Sequence, residues 1–313
     1  MTEHKPVLLR ESVDAMVIDK SGLYIDGTFG RGGHSREILS RLNDQGRLLA
    51  FDKDPEAVRV GEQLAAEDSR FHIVHGSFAT MLTTLDTVSS QTGTQWRGNV
   101  SGILLDLGVS SPQLDDASRG FSFMQEGPLD MRMNNREGES AAQWLSRAEA
   151  NEIAFVLKEY GEERFARRIA NAIVEARQTK PLTTTRQLAN LIEQSIPKKE
   201  KHKHPATRSF QGIRIFINGE LEDLTRALEH SLEALKPGGR LAVISFHSLE
   251  DRLAKRFMQQ QAKGDAPRGL PLRDSEINRR LKLAGKAQKA SEKEVESNVR
   301  SRSAVLRVAE KLK

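Results

Sequence analysis

The stretch Tyr24-Ile25-Asp26-Gly27-Thr28-Phe29-Gly30-Arg31-Gly32-Gly33-His34-Ser35 reads as the end of a short apolar strand, an acid, and a glycine-rich turn that opens a helix running to about Leu42. Glycines let a backbone turn tightly and approach a ligand, and a helix start offers free N–H groups. Alone, the pattern suits many nucleotide-binding folds and ordinary structural turns as well. The segments that follow narrow it. Arg47-Leu48-Leu49-Ala50-Phe51-Asp52 reads as a second strand, again ending in an acid. An acid there can accept hydrogen bonds from both hydroxyls of a ribose. Asp54-Pro55 stops that strand and starts a helix. Phe71 to Phe78 supplies a third strand and a turn, with Phe78 placed to pack against an adenine ring. Gly102-Ile103-Leu104-Leu105-Asp106 is the fourth strand, running into Leu107-Gly108-Val109-Ser110-Ser111-Pro112-Gln113-Leu114. Four strand-to-loop junctions thus carry polar or aromatic groups on the edge of an open α/β sheet where ligands sit.

The details of the first junction choose between nucleoside-type cofactors. A dinucleotide fingerprint would read G-x-G-x-x-G after the first strand. Here Gly27, Gly30, Gly32 and Gly33 follow the acid Asp26. An acid facing the ligand would repel a pyrophosphate and favour a cationic sulfonium with an amino-acid tail. S-adenosylmethionine is therefore expected ahead of NAD. The expected cofactor contacts are Asp26, Gly30, Gly32, Gly33, His34, Asp52, Phe78, Asp106 and Gln113.

Composition agrees. With 313 residues, 37% of them hydrophobic and 29% charged, the chain can form one large domain or two smaller ones with an extensive polar surface. A net charge of +5 favours a polyanionic partner. The absence of cysteine excludes disulfides, cysteine-based metal sites and a thiolate nucleophile. No apolar leader or membrane-length run is present, so a soluble, cytoplasmic protein without a membrane partner is expected. Lys198-Lys199-Glu200-Lys201-His202-Lys203-His204 forms a compact basic loop, and a second basic region runs from Arg268 to Arg302. Either is a solvated loop or a phosphate contact. His202 and His204 alternate, but no acid or cysteine cluster accompanies them, and no metal site is expected.

Helical periodicity interrupts the α/β pattern. Residues 115–135 read as an irregular active-site segment. Helices are then expected over Ala148–Tyr160, Glu162–Gln178 and Thr183–Ser195, the last capped by threonines. The second has Phe165, Ile169, Ile173 and Val174 on one face and Arg164, Arg167 and Arg168 around it. Residues 136–204 therefore form an inserted helical domain, a stability cap or a substrate-recognition lid, between cofactor-domain segments 1–135 and 205–313. An exposed helical insert is compatible with a homodimer. One long helix from about Ser209 to Leu235, a Pro237-Gly238-Gly239 turn, a buried strand Arg240–Phe246, a helix Leu249–Gln260 and a last strand Ser303–Val308 complete the reading.

Asp26 to Gly33 resembles a variant of the cofactor loop of class I methyltransferases that act on exocyclic amines. Those families place a Ser/Asp/Asn-Pro segment after the fourth strand, where Ser111-Pro112 stands. Longer stretches resemble a single family: Asp26 to Ser35, Asp106 to Leu114, Arg119-Gly120-Phe121-Ser122-Phe123-Met124, Gly127 to Met133, Tyr160-Gly161-Glu162-Glu163-Arg164, His204-Pro205-Ala206-Thr207-Arg208 and Phe246 to Arg252. This is the bacterial 16S ribosomal RNA cytosine-N4 methyltransferase family of the MraW type, and the likeness covers nearly the whole chain. It implies a class I methyltransferase sheet, mostly parallel with an antiparallel last strand, and S-adenosylmethionine as cofactor. It also implies 16S rRNA or the small ribosomal subunit as partner, and a recognition role for the helical insert.

Within that expectation, Asp106, Ser111 and Pro112 are the catalytic candidates. Asp106 and main-chain oxygens near Ser111-Pro112 would accept the N–H groups of the target amine, although Asp106 suits a cofactor contact equally well. Lys198, Lys199, Lys201, Lys203, Arg208, Arg214, His247 and Arg302 are the RNA-facing candidates. Gln113 stands where an aromatic commonly follows the proline, which leaves open which ring stacks on the base. Phe121 and Phe123 suit stacking or core packing. Rival readings are a DNA amino-methyltransferase, a non-catalytic RNA-binding assembly factor and, weakest, an NAD-dependent oxidoreductase.

Overall fold

Strands covered on both faces carry unbroken apolar runs instead of alternating ones, and the runs at Tyr24-Ile25, Leu48 to Phe51, Ile103 to Leu105 and Leu241 to Ile244 are all of that kind. The computed structural model describes residues 6–197, 204–265 and 277–313. The chain opens with α1 (Leu9–Met16), β1 (Leu23–Asp26), α2 (Gly33–Arg41), β2 (Arg47–Asp52), α3 (Pro55–Glu67), β3 (Phe71–His75), α4 (Met81–Thr92) and β4 (Val100–Asp106). A helical stretch follows: α5 (Ser111–Asp115), α6 (Ala141–Arg147), α7 (Ala150–Glu159), α8 (Ala166–Thr179), α9 (Thr185–Ser195) and α10 (Thr207–Asn218). The α/β pattern returns with α11 (Glu220–Ala234), β5 (Leu235–Ser245), α12 (Ser248–Lys263), β6 (Leu281–Leu283), β7 (Gln288–Lys289), α13 (Glu292–Ser297) and β8 (Val305–Lys311).

The strands form one sheet in the order β3-β2-β1-β4-β5-β8-β6, with β7 also pairing β8. Strands β1 to β5 are parallel, whereas β8 runs antiparallel to β5 and to both β6 and β7. The expected mostly parallel sheet with an antiparallel last strand is thus observed; β6 and β7 were not anticipated. Side chains alternate between faces along each strand. Ile25, Leu49, Phe51, Ile103, Leu105 and Val243 enter one core with α4, α11 and α12. Tyr24, Leu48, Ala50, Leu104, Ala242 and Ile244 enter the other with α1, α2 and α3. The strand order reverses between β1 and β4, and in sheets of this kind that switch point opens a crevice at the carboxyl ends.

The chain divides into two compact units, Met1–Gly108 with Leu221–Lys313, and Val109–Glu220. The second unit begins earlier and ends later than the 136–204 read from the sequence, and the reason is its core. Phe121, Leu129 and Met131 from the irregular segment, and Phe210 and Ile213 from α10, pack with Trp144, Leu157, Ile169 and Ile192. The single helix expected over Ser209–Leu235 is two helices. Gly219 adopts a left-handed conformation (φ 59°) at the break. Just before it, Asn218 donates to the Met131 carbonyl (2.7 Å) and accepts from the Met133 N–H (2.7 Å). The helix expected from Glu162 begins only at Ala166, because Glu162 is left-handed (φ 51°). Thr184 caps α9 as expected, its hydroxyl accepting from the Gln187 N–H.

The centre of the sheet is tightly filled. A Cβ on Gly102 would lie 2.5 Å from Met16 Cγ and 2.9 Å from the Tyr24 ring, both fully buried. Gly102→Ala is expected to destabilise the protein by about 2 kcal/mol through overpacking, measured as a lower denaturant midpoint with an unchanged slope.

Candidate active site

Three carboxylates end three neighbouring strands: Asp26 on β1, Asp52 on β2 and Asp106 on β4. Their surroundings give them different work. Asp26 is fully buried. One of its oxygens accepts the Thr28 N–H (3.1 Å) and the other the Ser35 hydroxyl (2.6 Å), so it ties the glycine turn to the first turn of α2. The hydroxyl of Thr28 in turn accepts the N–H of Asp106 (2.7 Å), and Gly27 donates to the Leu104 carbonyl (2.8 Å). The loop after β1 is thereby stitched to the end of β4. The glycines serve separate needs. A Cβ on Gly27 would lie 2.5 Å from Leu105 Cδ2, and one on Gly33 only 2.1 Å from the ring of Pro6. Gly30 is left-handed (φ 57°) and its missing side chain would point into open space.

Asp52 organises the turn from the other side. Its oxygens accept the N–H groups of Gly30 (2.7 Å) and Asp54 (2.8 Å). Burial raises its pKa to about 6 against those hydrogen bonds, and the charges of Asp54 and Asp26 add to the rise. Beyond β3, Ser77 donates to Asp223 of α11 (2.6 Å), which also pairs with Lys53 (2.5 Å). These contacts hold the turn that carries Phe78, itself partly buried against the adjoining core.

Asp106 is the least satisfied of the three. Its Oδ1 is buried and has no hydrogen-bond partner among the described residues, while its side chain keeps 23% of its surface open. Burial, then the charges of Asp26 and Glu250, raises its pKa well above the usual carboxylate range. His34 Nδ1 lies 3.5 Å from Asp106 Oδ2. The imidazole is 4% exposed, and burial lowers its pKa to about 4, opposed by the Val7 carbonyl, so at neutral pH it is uncharged. Glu250, at the start of α12, accepts from the N–H groups of Phe246 (2.8 Å) and His247 (3.3 Å), and His247 Nε2 lies 2.9 Å from its other oxygen.

In the second unit, Ser111 and Pro112 open the short α5, and the Gln113 side chain accepts from the Ser110 N–H (2.9 Å). Gln113 therefore braces its own loop, a role legible in the Ser-x-x-Gln spacing. Phe121 is a core residue, whereas Phe123 is half-buried against Phe210 (4.9 Å) and His204 (4.5 Å). Arg214 is engaged by Glu220 through two hydrogen bonds (2.8 and 2.9 Å) with 15% of its side chain exposed, and Arg208 donates to the Glu162 carbonyl (3.2 Å). Arg302 is exposed, while Lys198, Lys199, Lys201 and Lys203 lie outside the described residues. Thr28, Ser35 and Glu250 were missed by the sequence reading. Thr28 and Ser35 lie within the quoted glycine stretch, and Glu250 stands three residues after His247, so the signal for each was its spacing.

Opposed titrations follow from this geometry. Asp52 holds its proton to about pH 6 in the folded chain but loses it near 4 when unfolded, so its contribution falls as pH rises through that window. His34 stays neutral down to about pH 4 when folded but protonates below about 6.5 when unfolded, so its contribution falls as pH drops. Relative to wild type, His34→Gln is expected to shift the stability difference between pH 5 and pH 7 toward pH 5, by about 1–2 kcal/mol. Asp52→Asn is expected to shift it toward pH 7 by about 1 kcal/mol. Urea unfolding of the ligand-free protein at both pH values checks this.

The sequence matches the MraW methylase family over residues 1–312. A protein of Thioalkalivibrio sulfidiphilus (strain HL-EbGR7) named ribosomal RNA small subunit methyltransferase H is 58% identical over 311 residues, covering 99% of this chain and 97% of that one. A protein of the same name from Marinomonas sp. (strain MWYL1) is 57% identical and covers 100% and 98%. Among solved structures, an rRNA methylase from Streptococcus thermophilus is similar at 12% identity and a TM-score of 0.42, covering 100% of this chain and 99% of that one. A match over 312 residues, joined to relatives alike along their full lengths, places this chain in the MraW methylase family.

Proposed function

We propose that this chain methylates the exocyclic N4 amine of a cytidine in small-subunit ribosomal RNA, with S-adenosylmethionine as donor. The observation that carries the reading is Asp106. It is a carboxylate at the sheet's switch point, partly open, with a raised pKa and a buried oxygen left without a partner among the described residues. Six positions on in sequence stands the Pro112 of a Ser-Ser-Pro segment. Relatives named for small-subunit rRNA methylation support RNA over DNA as substrate.

The residues present fit the donor. Asp52 keeps lone pairs for ribose hydroxyls beyond the two N–H groups it already accepts, and Gly30 leaves open space in front of the loop. Asp26 is enclosed, so its part is to shape the loop. S-adenosylmethionine supplies a methyl group on a sulfonium, open to in-line attack by a nucleophile. The cytosine amine is a poor nucleophile because its lone pair is delocalised into the ring. Asp106 accepts an N–H of that amine, which favours a pyramidal nitrogen and frees the lone pair. The raised affinity of Asp106 for a proton suits it to take up the one shed after methylation. Most of the acceleration comes from holding the amine in place, and the base must be splayed from its RNA stack to reach the site.

Tritiated S-adenosylmethionine and small ribosomal subunits from a strain lacking the enzyme test the reading. Label on cytosine N4, located by nuclease digestion and mass spectrometry, is the expected result. Asp106→Asn should lower turnover by about 100-fold or more while calorimetry shows donor affinity within about threefold of wild type. A large loss of donor affinity would move Asp106 to a cofactor role, and label on DNA alone would overturn the RNA assignment.

A further inference from the structure

Arginine is usually a paired residue in this protein. Among the described residues, Arg41 binds Glu37 and Asp14, Arg132 binds Asp130, Arg240 binds Glu310 and Arg307 binds Asp251. Arg177 donates instead to two carbonyls. The start of α8 departs from this. Arg164, Arg167 and Arg168 are all exposed, and none makes a hydrogen bond or ion pair with a described residue. They stand three and four positions apart around the first helical turn, which puts them side by side.

That arrangement works against the fold. Three like charges crowd one turn, at the helix end whose dipole disfavours cations. The adjacent acids offer no relief: Glu163 is 6% exposed and its carboxylate accepts the N–H of Phe165, and Glu162, though exposed, makes no ion pair with any of the three. The next acid along the exposed face is Glu175, two turns further on. The backbone that presents the group is nevertheless firmly built. Glu162 holds a left-handed conformation, its carbonyl receives Arg208, and a Cβ on Gly161 would lie 2.5 Å from the Arg208 carbonyl. Beneath the patch, Ala166, Ile169 and Ala170 are buried in the helical core. A firmly built base thus displays three guanidinium groups without ion-pair partners among the described residues.

We infer that Arg164, Arg167 and Arg168 form a phosphate-contacting surface of the helical unit that docks the ribosomal RNA substrate. The inference rests on the reading that the chain acts on RNA. Guanidinium groups bind phosphate oxygens in a forked geometry and stay charged at any physiological pH. Backbone contacts of this kind carry affinity and its salt dependence, not sequence choice.

The test compares wild type with an Arg164→Ala/Arg167→Ala/Arg168→Ala variant and with the matching triple lysine variant. The alanine variant should raise KM for small subunits about tenfold at physiological salt. Its dependence of log affinity on log salt should be shallower by about 2, at roughly 0.7 per phosphate released. Turnover at saturating RNA and affinity for S-adenosylmethionine should be unchanged. Its thermal midpoint should equal or exceed that of wild type, since repulsion is relieved, and the lysine variant should keep the wild-type salt slope. An unchanged KM and slope, or a lowered midpoint, would overturn the inference. Filter retention of 16S rRNA reads the same slope without turnover, so the surface is tested even if wild type methylates no RNA, an outcome that would instead remove the proposed function.

Discussion

The buried carboxylate of Asp26 is the fixed point of the cofactor-side architecture. Taking an ionisable group out of water is costly unless its hydrogen-bonding capacity is met. Here Thr28 and Ser35 meet it. Because Thr28 also receives the N–H of Asp106, one buried acid sets the loop after β1, the start of α2 and the end of β4 at once. Removing it would disturb three elements whose only shared feature is their place at the sheet edge. The neighbouring carboxylates depend on this anchor. Asp52 reaches the same loop through Gly30, and part of the proton affinity of Asp106 comes from the negative charge of Asp26.

The site therefore contains acids of three kinds, separated by how much of each the fold consumes. Asp26 is fully used within the protein. Asp52 is used on one side and available on the other. Asp106 has a buried oxygen with no partner among the described residues and an open edge. Such a gradient is what a site needs if it is to keep a rigid frame while leaving one carboxylate for chemistry. The neutral imidazole of His34 behind Asp106 fits the same logic, since burial keeps a second charge away from that carboxylate at neutral pH.

Much of this was legible before the structure. The apolar runs ending in Asp26, Asp52 and Asp106 specified parallel strands, because only strands buried on both faces read that way and an acid at the end marks the exposed edge. The division of labour among the acids was not legible. Spacing shows that an acid ends a strand, but not whether a serine nine positions later will turn inward to meet it. The break at Gly219 was hidden for a related reason. Asn218-Gly219 interrupts a good amphipathic pattern only weakly, and what ends the helix is Asn218 bonding to Met131 and Met133, more than eighty positions earlier in the chain. The bracing role of Gln113 was available in the Ser-x-x-Gln spacing, beside the ligand contact expected of it. Arg164, Arg167 and Arg168 were visible as charges, but only the structure shows that all three stand together on one helix start without ion-pair partners among the described residues.

The order of elements along the chain has a consequence for biosynthesis. The helical unit is contiguous, so every residue of its core has been made once synthesis passes α10. The sheet is in a different position. Strand β4 must wait for β5, whose first residue, Leu235, comes 129 positions after Asp106 (235 − 106), and β5 must wait for β8 near the end of the chain. Domains fold as units as they emerge. The nascent protein therefore carries all the residues of its helical bundle while the sheet is half built, with the apolar edge of β4 uncovered until β5 has been made. Exposed strand edges are where chains associate wrongly, and the last eighty residues close this one.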